Sequence, residues 1–325
     1  MSKQTPAYGV IDIHIHVSPF DQMHPPILAA MQKGRDFAIV EKVTRDPGAL
    51  VALMDSAGIE RCGIINYVAP KLMGFTFEAN RFSKDYVKNH PDRLFAHGSV
   101  DPHESKDPKG EMALLLDEWG ITAIKIHPPH QGINPNAYLD GNRVLPVVYE
   151  ECSRRGVPVV FHTGTTIFKG ARIKYGDPIH IDDVACDFPD LKILLAHAGR
   201  PLWMETARFL VKRHPNVFMD LSGVPPQRIP EWFPDLDRLA DKVLWGTDWP
   251  GPGVPDMGAN LRAFLAQPHD PIALKKILRD NALSFFRLSQ GRGLSKIPRS
   301  GNPPGPISIG PCQNCRSEAL PAIDA

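Results

Sequence analysis

Apolar positions recur along this chain in two alternating rhythms. Short runs such as Val157-Pro158-Val159-Val160-Phe161 and Ile193-Leu194-Leu195-Ala196 have the length and density of buried strands. Between such runs lie stretches of helical spacing, several of which stop at a glycine, as at Gly58, Gly120 and Gly156. Read in order, strands are expected at 9–17, 61–67, 94–100, 121–128, 158–162, 192–197, 217–221 and 243–248. Helices are expected at 48–57, 76–89, 111–119, 143–155, 181–188, 202–214, 236–241 and 272–288. Eight alternations of strand and helix predict an α/β fold with a parallel sheet, and a closed (β/α)8 TIM barrel over residues 1–290 satisfies the pattern best. An open doubly wound sheet is the alternative, but no Gly-rich phosphate turn follows the first strand. Two stretches break the rhythm. Residues 18–47 are too long for a plain connection and read either as a substrate loop or lid, or as a surface insertion. Residues 291–325 turn to Pro, Gly and Ser and read as a poorly ordered tail rather than a domain.

The polar positions within the strands carry the chemistry. Along the first strand, alternation places Ile11, Ile13 and Ile15 on one face and Asp12, His14 and His16 on the other. Burying two neutral imidazoles without partners is unfavourable, so the pair points to a metal between them. On the fourth strand Lys125 and His127 share a face opposite Ile124 and Ile126, while His162, His197 and Asp248 end the fifth, sixth and eighth strands. The steps from Lys125 to His162 and on to His197 are 37 and 35 residues, each about one strand-helix unit, and the 51 residues to Asp248 accommodate two short units. In a barrel these groups meet at the C-terminal mouth, where catalytic residues from different strands converge. Three His and one Asp form an N/O donor set that suits one divalent ion, Zn²⁺ ahead of Mn²⁺, Fe²⁺ or Co²⁺. Arg200 follows His197 by three residues and can meet an anionic substrate or stand solvated at a helix start; Trp249, His127 and His130 are candidate pocket walls.

Composition narrows the partners. The 325 residues carry a net charge of only +1 and show no basic stripe with interleaved aromatics, which argues against nucleic acid and for a small-molecule substrate. The longest apolar runs fall far short of a membrane span, and the first residues show no basic and apolar leader pattern. Five scattered cysteines suit reduced thiols in a cytoplasmic protein, and a homo-oligomer is left open. Cys312-x-x-Cys315 is half of a zinc knuckle without a second pair and reads as two incidental thiols in the tail.

His14-x-His16, His162 in Val-Val-Phe-His-Thr-Gly, His197 in Leu-Leu-Ala-His-Ala-Gly and Asp248 in Gly-Thr-Asp-Trp-Pro resemble the motifs of the amidohydrolase superfamily. The resemblance is strongest to the amidohydrolase-2 branch that includes aminocarboxymuconate-semialdehyde decarboxylase, and it covers residues 8–289, with Asn281-Ala282 in the last helix. It implies that His14, His16, His162 and Asp248 bind one divalent ion and that His197 stands beside it as acid/base or orienting group. Asp248 would then serve as ligand and proton acceptor together. In binuclear relatives a lysine at the end of the fourth strand is carboxylated and bridges two metals, and Lys125-Ile126-His127-Pro128 resembles that segment. Since the decarboxylase-like branch works with one metal, a free Lys125 that binds a substrate carboxylate is the preferred expectation over a second metal or a lysine snorkelling at the barrel edge.

Three functions follow for such a site. The first is a hydrolase that uses metal-activated water on an amide, ester, lactone or activated C–C bond. The second is a metal-dependent, non-oxidative decarboxylase of an aromatic or unsaturated acid. A non-catalytic metal-binding scaffold is the third, disfavoured because every ligand position is filled. Hydrolysis leads, because a pair of carboxylate-binding arginines is not identifiable in the chain.

Overall fold

The computed structural model describes residues 6, 8–33, 37–251 and 253–289. Eight parallel strands follow one another around the sheet in chain order: β1 Val10–Ile15, β2 Ile59–Ile65, β3 Leu94–Gly98, β4 Ala123–Ile126, β5 Val159–His162, β6 Ile193–Ala196, β7 Val217–Asp220 and β8 Val243–Leu244. Helices between them cover the outside, as the two rhythms predict. The expected tail falls outside the described residues. Among the described residues no helix is long and apolar enough to cross a membrane.

Strand alternation divides the apolar side chains into two layers. Ile124, Ile126, Val159, Phe161, Ile193 and Leu195 face the helices, whereas Phe95, Ala123, Val160, Leu194 and Leu244 fill the barrel floor. The last helix, Asn281–Phe285, and the residues after it close that floor from below, with Leu283, Phe285, Phe286 and Leu288 packed into the same cluster. Burying each large side chain of this kind contributes roughly 1.5–3 kcal/mol.

Strand β1 departs from the simple alternation. Ile11 and Ile13 belong to the floor, but Ile15 packs outward with Val10 and Val17, because the register with β2 shifts between Asp12 and Ile15. The three isoleucines therefore do not share one face, and Asp12 does not join the histidines. Its carboxylate instead accepts from the His14 amide at 3.1 Å, the Thr247 amide at 3.0 Å and the Thr247 hydroxyl at 2.6 Å. It thereby fastens β1 to the segment after β8, where backbone bonds from Ile13 to Trp245, Asp248 to His14 and His16 to Trp249 close the barrel.

Several elements are shorter or tighter than their sequence rhythm implies. β8 has only two residues, since the chain leaves the ladder to present Asp248 with a positive φ of 69°. The stretch expected as a helix at 236–241 is a 3-10 turn, Leu236–Lys242, and the closing helix contains a π-helical segment, Lys276–Asp280. The long insertion is no structureless loop. It forms a 3-10 turn, Phe20–Gln22, and two helices, Pro25–Gln32 and Ala38–Arg45, and lends Ser18, Met23 and Met31 to the barrel mouth.

Candidate active site

One pocket at the C-terminal ends of the strands is lined by His16, Lys125, His162, His197, Arg200 and Asp248. His14 lies just beneath it and is fully buried. His127 and His130 also line it, whereas Trp249, expected as a pocket wall, packs into the outer core. The wall facing the polar groups is apolar, with Met23, Met31, Met73, Phe75, Ile167 and Phe168.

Hydrogen bonds fix which nitrogen of each first-strand histidine is available. His14 Nδ1 lies 3.0 Å from Asp220 Oδ2. Burial works against the Asp220 charge, but the charge and hydrogen bond of His14, the His197 amide and the Ser222 hydroxyl hold its carboxyl below the ordinary range, so it only accepts. The His14 proton therefore sits on Nδ1, and Nε2 presents its lone pair to the pocket without a protein partner. Likewise His16 Nδ1 donates to the Ile65 carbonyl at 3.0 Å, which leaves its Nε2 as an acceptor.

Asp248 stands opposite both acceptor nitrogens. Its Oδ1 is 3.2 Å from His16 Nε2 and 3.6 Å from His14 Nε2. Burial raises its pKa, yet contact with His16 and the charges of His14, His16 and Arg200 outweigh that effect and hold it at about 2. Burial, reinforced by Lys125 and opposed by Asp220, lowers His14 to about 4. An ionised carboxylate thus faces the lone pair of His14, an imidazole that burial keeps neutral, two acceptors with no proton between them, beside His16 Nε2. A cation resolves that conflict, and the donor atoms of His14, His16 and Asp248 lie within 4.8 Å of one another. The residues present fit a divalent metal, with Asp220 acting on it through His14.

The other expected residues arrive by different routes. His162 Nε2 is buried and unpartnered, and its ring centroid is 4.7 Å from that of His197, but it stands outside the tight three-residue group. His162 stacks on His127 at 3.9 Å, which stacks on His130 at 3.5 Å. His130 is held by Tyr67 Oη at 2.7 Å and Thr166 Oγ1 at 2.8 Å. His197 Nδ1 lies 2.9 Å from the Ser222 carbonyl and donates to it, so its proton-accepting nitrogen is Nε2. Burial, with the charge of Arg200 next, keeps His197 neutral, far below its usual titration range. His197, Ala198 and Asp248 all adopt positive φ, at 67°, 47° and 69°, a strain on the order of 1–3 kcal/mol each.

Lys125 does not snorkel to the edge. Its side chain is fully buried, its Nζ has no hydrogen-bond partner, and burial, opposed by Asp220 and Asp248, lowers its pKa to about 8. Arg200 is also no solvated helix-start residue. One of its terminal nitrogens donates to Asp248 Oδ2 at 3.0 Å, while Nε is buried and unpartnered. Its guanidinium lies over Gly223, where an added Cβ would stand 2.1 Å from Nη2 and push the arginine out of this seat.

The family model for amidohydrolases, of the amidohydrolase-2 type, matches residues 11–288. The chain belongs to the amidohydrolase family. Members of this family are metal-dependent enzymes, in keeping with the donor set. An uncharacterised TIM-barrel protein from Bordetella bronchiseptica superposes with a TM-score of 0.70 at 24% identity, covering 86% of this chain and 98% of that one. A 5-carboxyvanillate decarboxylase from Novosphingobium aromaticivorans, complexed with manganese and 4-hydroxy-3-methoxy-5-nitrobenzoic acid, gives a TM-score of 0.61 at 16% identity, covering 88% and 99%. In sequence, an L-fucono-1,5-lactonase from Burkholderia ambifaria is 27% identical over 33% of this chain and 45% of its own length, so the chain spans about half of that relative.

Asp220, Ser222 and the Asp12–Thr247 pair are functional neighbours that the sequence reading did not single out. The signal for Asp220 is an acid at the C-terminal end of a strand, in Phe218-Met219-Asp220-Leu221, and it is as strong as the signal for Asp248. Pairing across the barrel, such as Asp220 with His14, leaves no mark in local spacing.

Proposed function

We propose that this chain is a metal-dependent hydrolase that opens a small, carboxylate-bearing ester or lactone. The carrying observation is the ionised Asp248 held against the two acceptor nitrogens of His14 and His16. In this reading His14, His16, Asp248 and His162 hold one divalent ion, with Zn²⁺ preferred for three imidazoles and a carboxylate. Mn²⁺, the ion of the decarboxylase neighbour, is an alternative. When bound, such an ion supplies an acidified water and a Lewis acid for a carbonyl. Asp248, ionised at neutral pH, accepts the proton of the attacking water. That proton is then delivered to the leaving oxygen, with His197 Nε2 as the accepting nitrogen that relays it. The amine of Lys125 and Nε of Arg200 are the unpartnered donors that meet the substrate carboxylate, and the methionine and phenylalanine wall excludes water from the remainder of the ligand.

Decarboxylation of an aromatic or unsaturated acid is the second reading, supported by the structural neighbour and by the same donors. It ranks lower because a pair of arginines for the departing carboxylate is not found among the described residues of the pocket lining, and the arginine that is there, Arg200, is shared with Asp248. The partial match to a lactonase points the same way.

Metal analysis joined to turnover of lactones and aromatic acids in ¹⁸O-labelled water tests both readings. The expected result is one divalent ion at the barrel mouth, loss of that ion and of activity in His14→Ala/His162→Ala, and label in the product acid. Release of CO₂, with solvent hydrogen on the product carbon and no label, would establish the decarboxylase. A second ion that is also lost in His14→Ala/His162→Ala, with a carboxylate's extra mass on Lys125, would replace the single-ion site with a binuclear one.

A further inference from the structure

At the opposite end of the barrel a second group of potential ligands is assembled from two neighbouring outer helices. Asp182 and Cys186 are four residues apart on the helix Ile181–Asp187, so both side chains emerge on one face. His214 follows the last residue of the helix Met204–Arg213 and is 7% exposed. One ligand atom from each of the three lies within 4.8 Å of the others. His214 Nε2 is 2.6 Å from Asp182 Oδ1, and Arg213 Nε donates to the same oxygen at 3.1 Å, so the second carboxylate oxygen takes part in neither bond. Cys186 carries a thiol rather than a disulfide and is half-buried. The framework beneath is firm, because the Asn216 side chain donates to the carbonyls of Phe188 and Leu191 at the far end of the first helix.

We propose that Asp182, Cys186 and His214 form a second, zinc-class metal site that staples these two helices far from the catalytic mouth. An Asp–His pair needs no third member to be a hydrogen bond. What distinguishes this group is a soft sulfur donor beside a nitrogen and an oxygen. That combination selects Zn²⁺ and its congeners over Mg²⁺ or Ca²⁺ and leaves one tetrahedral position for water. Binding costs the Asp182–His214 hydrogen bond. The Cys186 thiol gives up its proton to solvent, the proton on His214 Nε2 is replaced by one on Nδ1, the metal takes both lone pairs, and affinity rises with pH. The location, at the end of the barrel that leads into β6 and β7, makes the ion a stabilising rather than a catalytic one.

Cadmium titration of the full-length chain carrying Cys312→Ser and Cys315→Ser tests this, with the thiolate-to-cadmium charge-transfer absorption as the readout. The mouth is lined by thioethers but, among the described residues, by no cysteine, so cadmium bound there gives no thiolate band, and Cys62 and Cys152 are fully buried. The expected result is a band that saturates at one equivalent and disappears in Cys186→Ser. In His214→Ala the affinity should fall at least by the roughly tenfold that loss of even a supporting residue costs a metal site. If His214→Ala does not fold, His214→Gln keeps a hydrogen bond to Asp182 while removing the imidazole. Absence of the band in the parent protein would overturn the site. So would an affinity unchanged in the His214 variant and in Asp182→Asn, since Cys186 would then be acting alone.

Discussion

Within one or two repeats of the pleat the barrel interior changes character: Val160 is followed by His162 on β5, Ala123 by Lys125 on β4, and Leu244, four residues on, by Asp248 past the end of β8. The floor below this line is apolar and closed by Phe286, while the mouth above it holds buried polar atoms without partners, including His14 Nε2, Lys125 Nζ and His162 Nε2. Each such atom costs about 1–3 kcal/mol if nothing binds to it. The floor thus supplies stability that the mouth spends on readiness for ligand. His97 marks the boundary. It is fully buried beside Phe95 and Phe286, and neither of its ring nitrogens finds a partner.

Cutting into the floor should produce the largest change. Phe95→Ala removes a fully enclosed ring from the layer shared by Ile11, Val160, Leu194 and Phe286. Equilibrium urea unfolding should show a loss of ~3–5 kcal/mol. A loss below about 1 kcal/mol would mean that the floor is not the main support of the fold.

The next effect concerns the seam where β8 meets β1. Burial raises the Asp12 pKa from 3.8 to about 7, against its hydrogen bonds from Thr247 and His14. The folded chain therefore holds a proton that the unfolded chain has released. Stability contributed at Asp12 is complete below about pH 3.8 and is lost as pH rises through about 7, a change on the order of 4 kcal/mol. Asp12→Asn keeps one oxygen for the two backbone amides and offers its NH₂ to the Thr247 hydroxyl. The variant should be more stable than the parent at pH 8 and nearly equal to it at pH 4, and a melting-temperature series across this range will show whether the gap opens in that direction.

Much of this contrast is legible in the amino-acid sequence. Strand alternation alone places Lys125 opposite Ile124 and Ile126, and His162, His197 and Asp248 at strand ends; all four reach the pocket. The first strand defeats the same rule, because a register shift turns Ile15 outward and sends Asp12 to the seam, and no spacing of residues announces a shift set by the neighbouring strand. The apolar wall of Met23, Met31 and Met73 is hidden for a related reason: it is assembled from an insertion and a loop after β2 whose helices and turns obey no barrel rhythm. Arg200 is likewise readable only in three dimensions, since its seat depends on Gly223, 23 residues away.

Replacing a mouth residue by an apolar one should move stability in the direction opposite to the floor variant. Lys125→Met fills a similar volume and removes a buried amine with no partner, so the metal-free protein should gain about 1–3 kcal/mol while losing turnover. The folded pKa of about 8 lies below the ordinary 10.5, so below pH 8 the folded chain bears the full cost of a charged buried amine. Between pH 8 and 10.5 that cost fades as the folded amine loses its proton first. The advantage of the methionine variant should shrink over this interval, and a constant advantage would show that shape rather than charge is responsible.

The smallest change probes the mouth without altering its shape. Asp220 Oδ1 accepts from the amides of His197 and Ser222, each at 2.9 Å, and Oδ2 accepts from His14 Nδ1. In Asp220→Asn the two backbone donors keep the carbonyl oxygen on their side, so the new NH₂ must face His14 Nδ1. Two donors cannot meet there, and the His14 proton moves to Nε2, the nitrogen required for the metal. Fold and pocket should persist, with a melting curve close to that of the parent. Metal affinity, read by competition with a coloured chelator, should fall about 10- to 100-fold. Such a loss without a loss of stability would confirm that the acid on β7 acts by choosing the tautomer of His14. Unchanged affinity would place the His14 proton elsewhere and remove the strongest physical reason for assigning that residue to the metal.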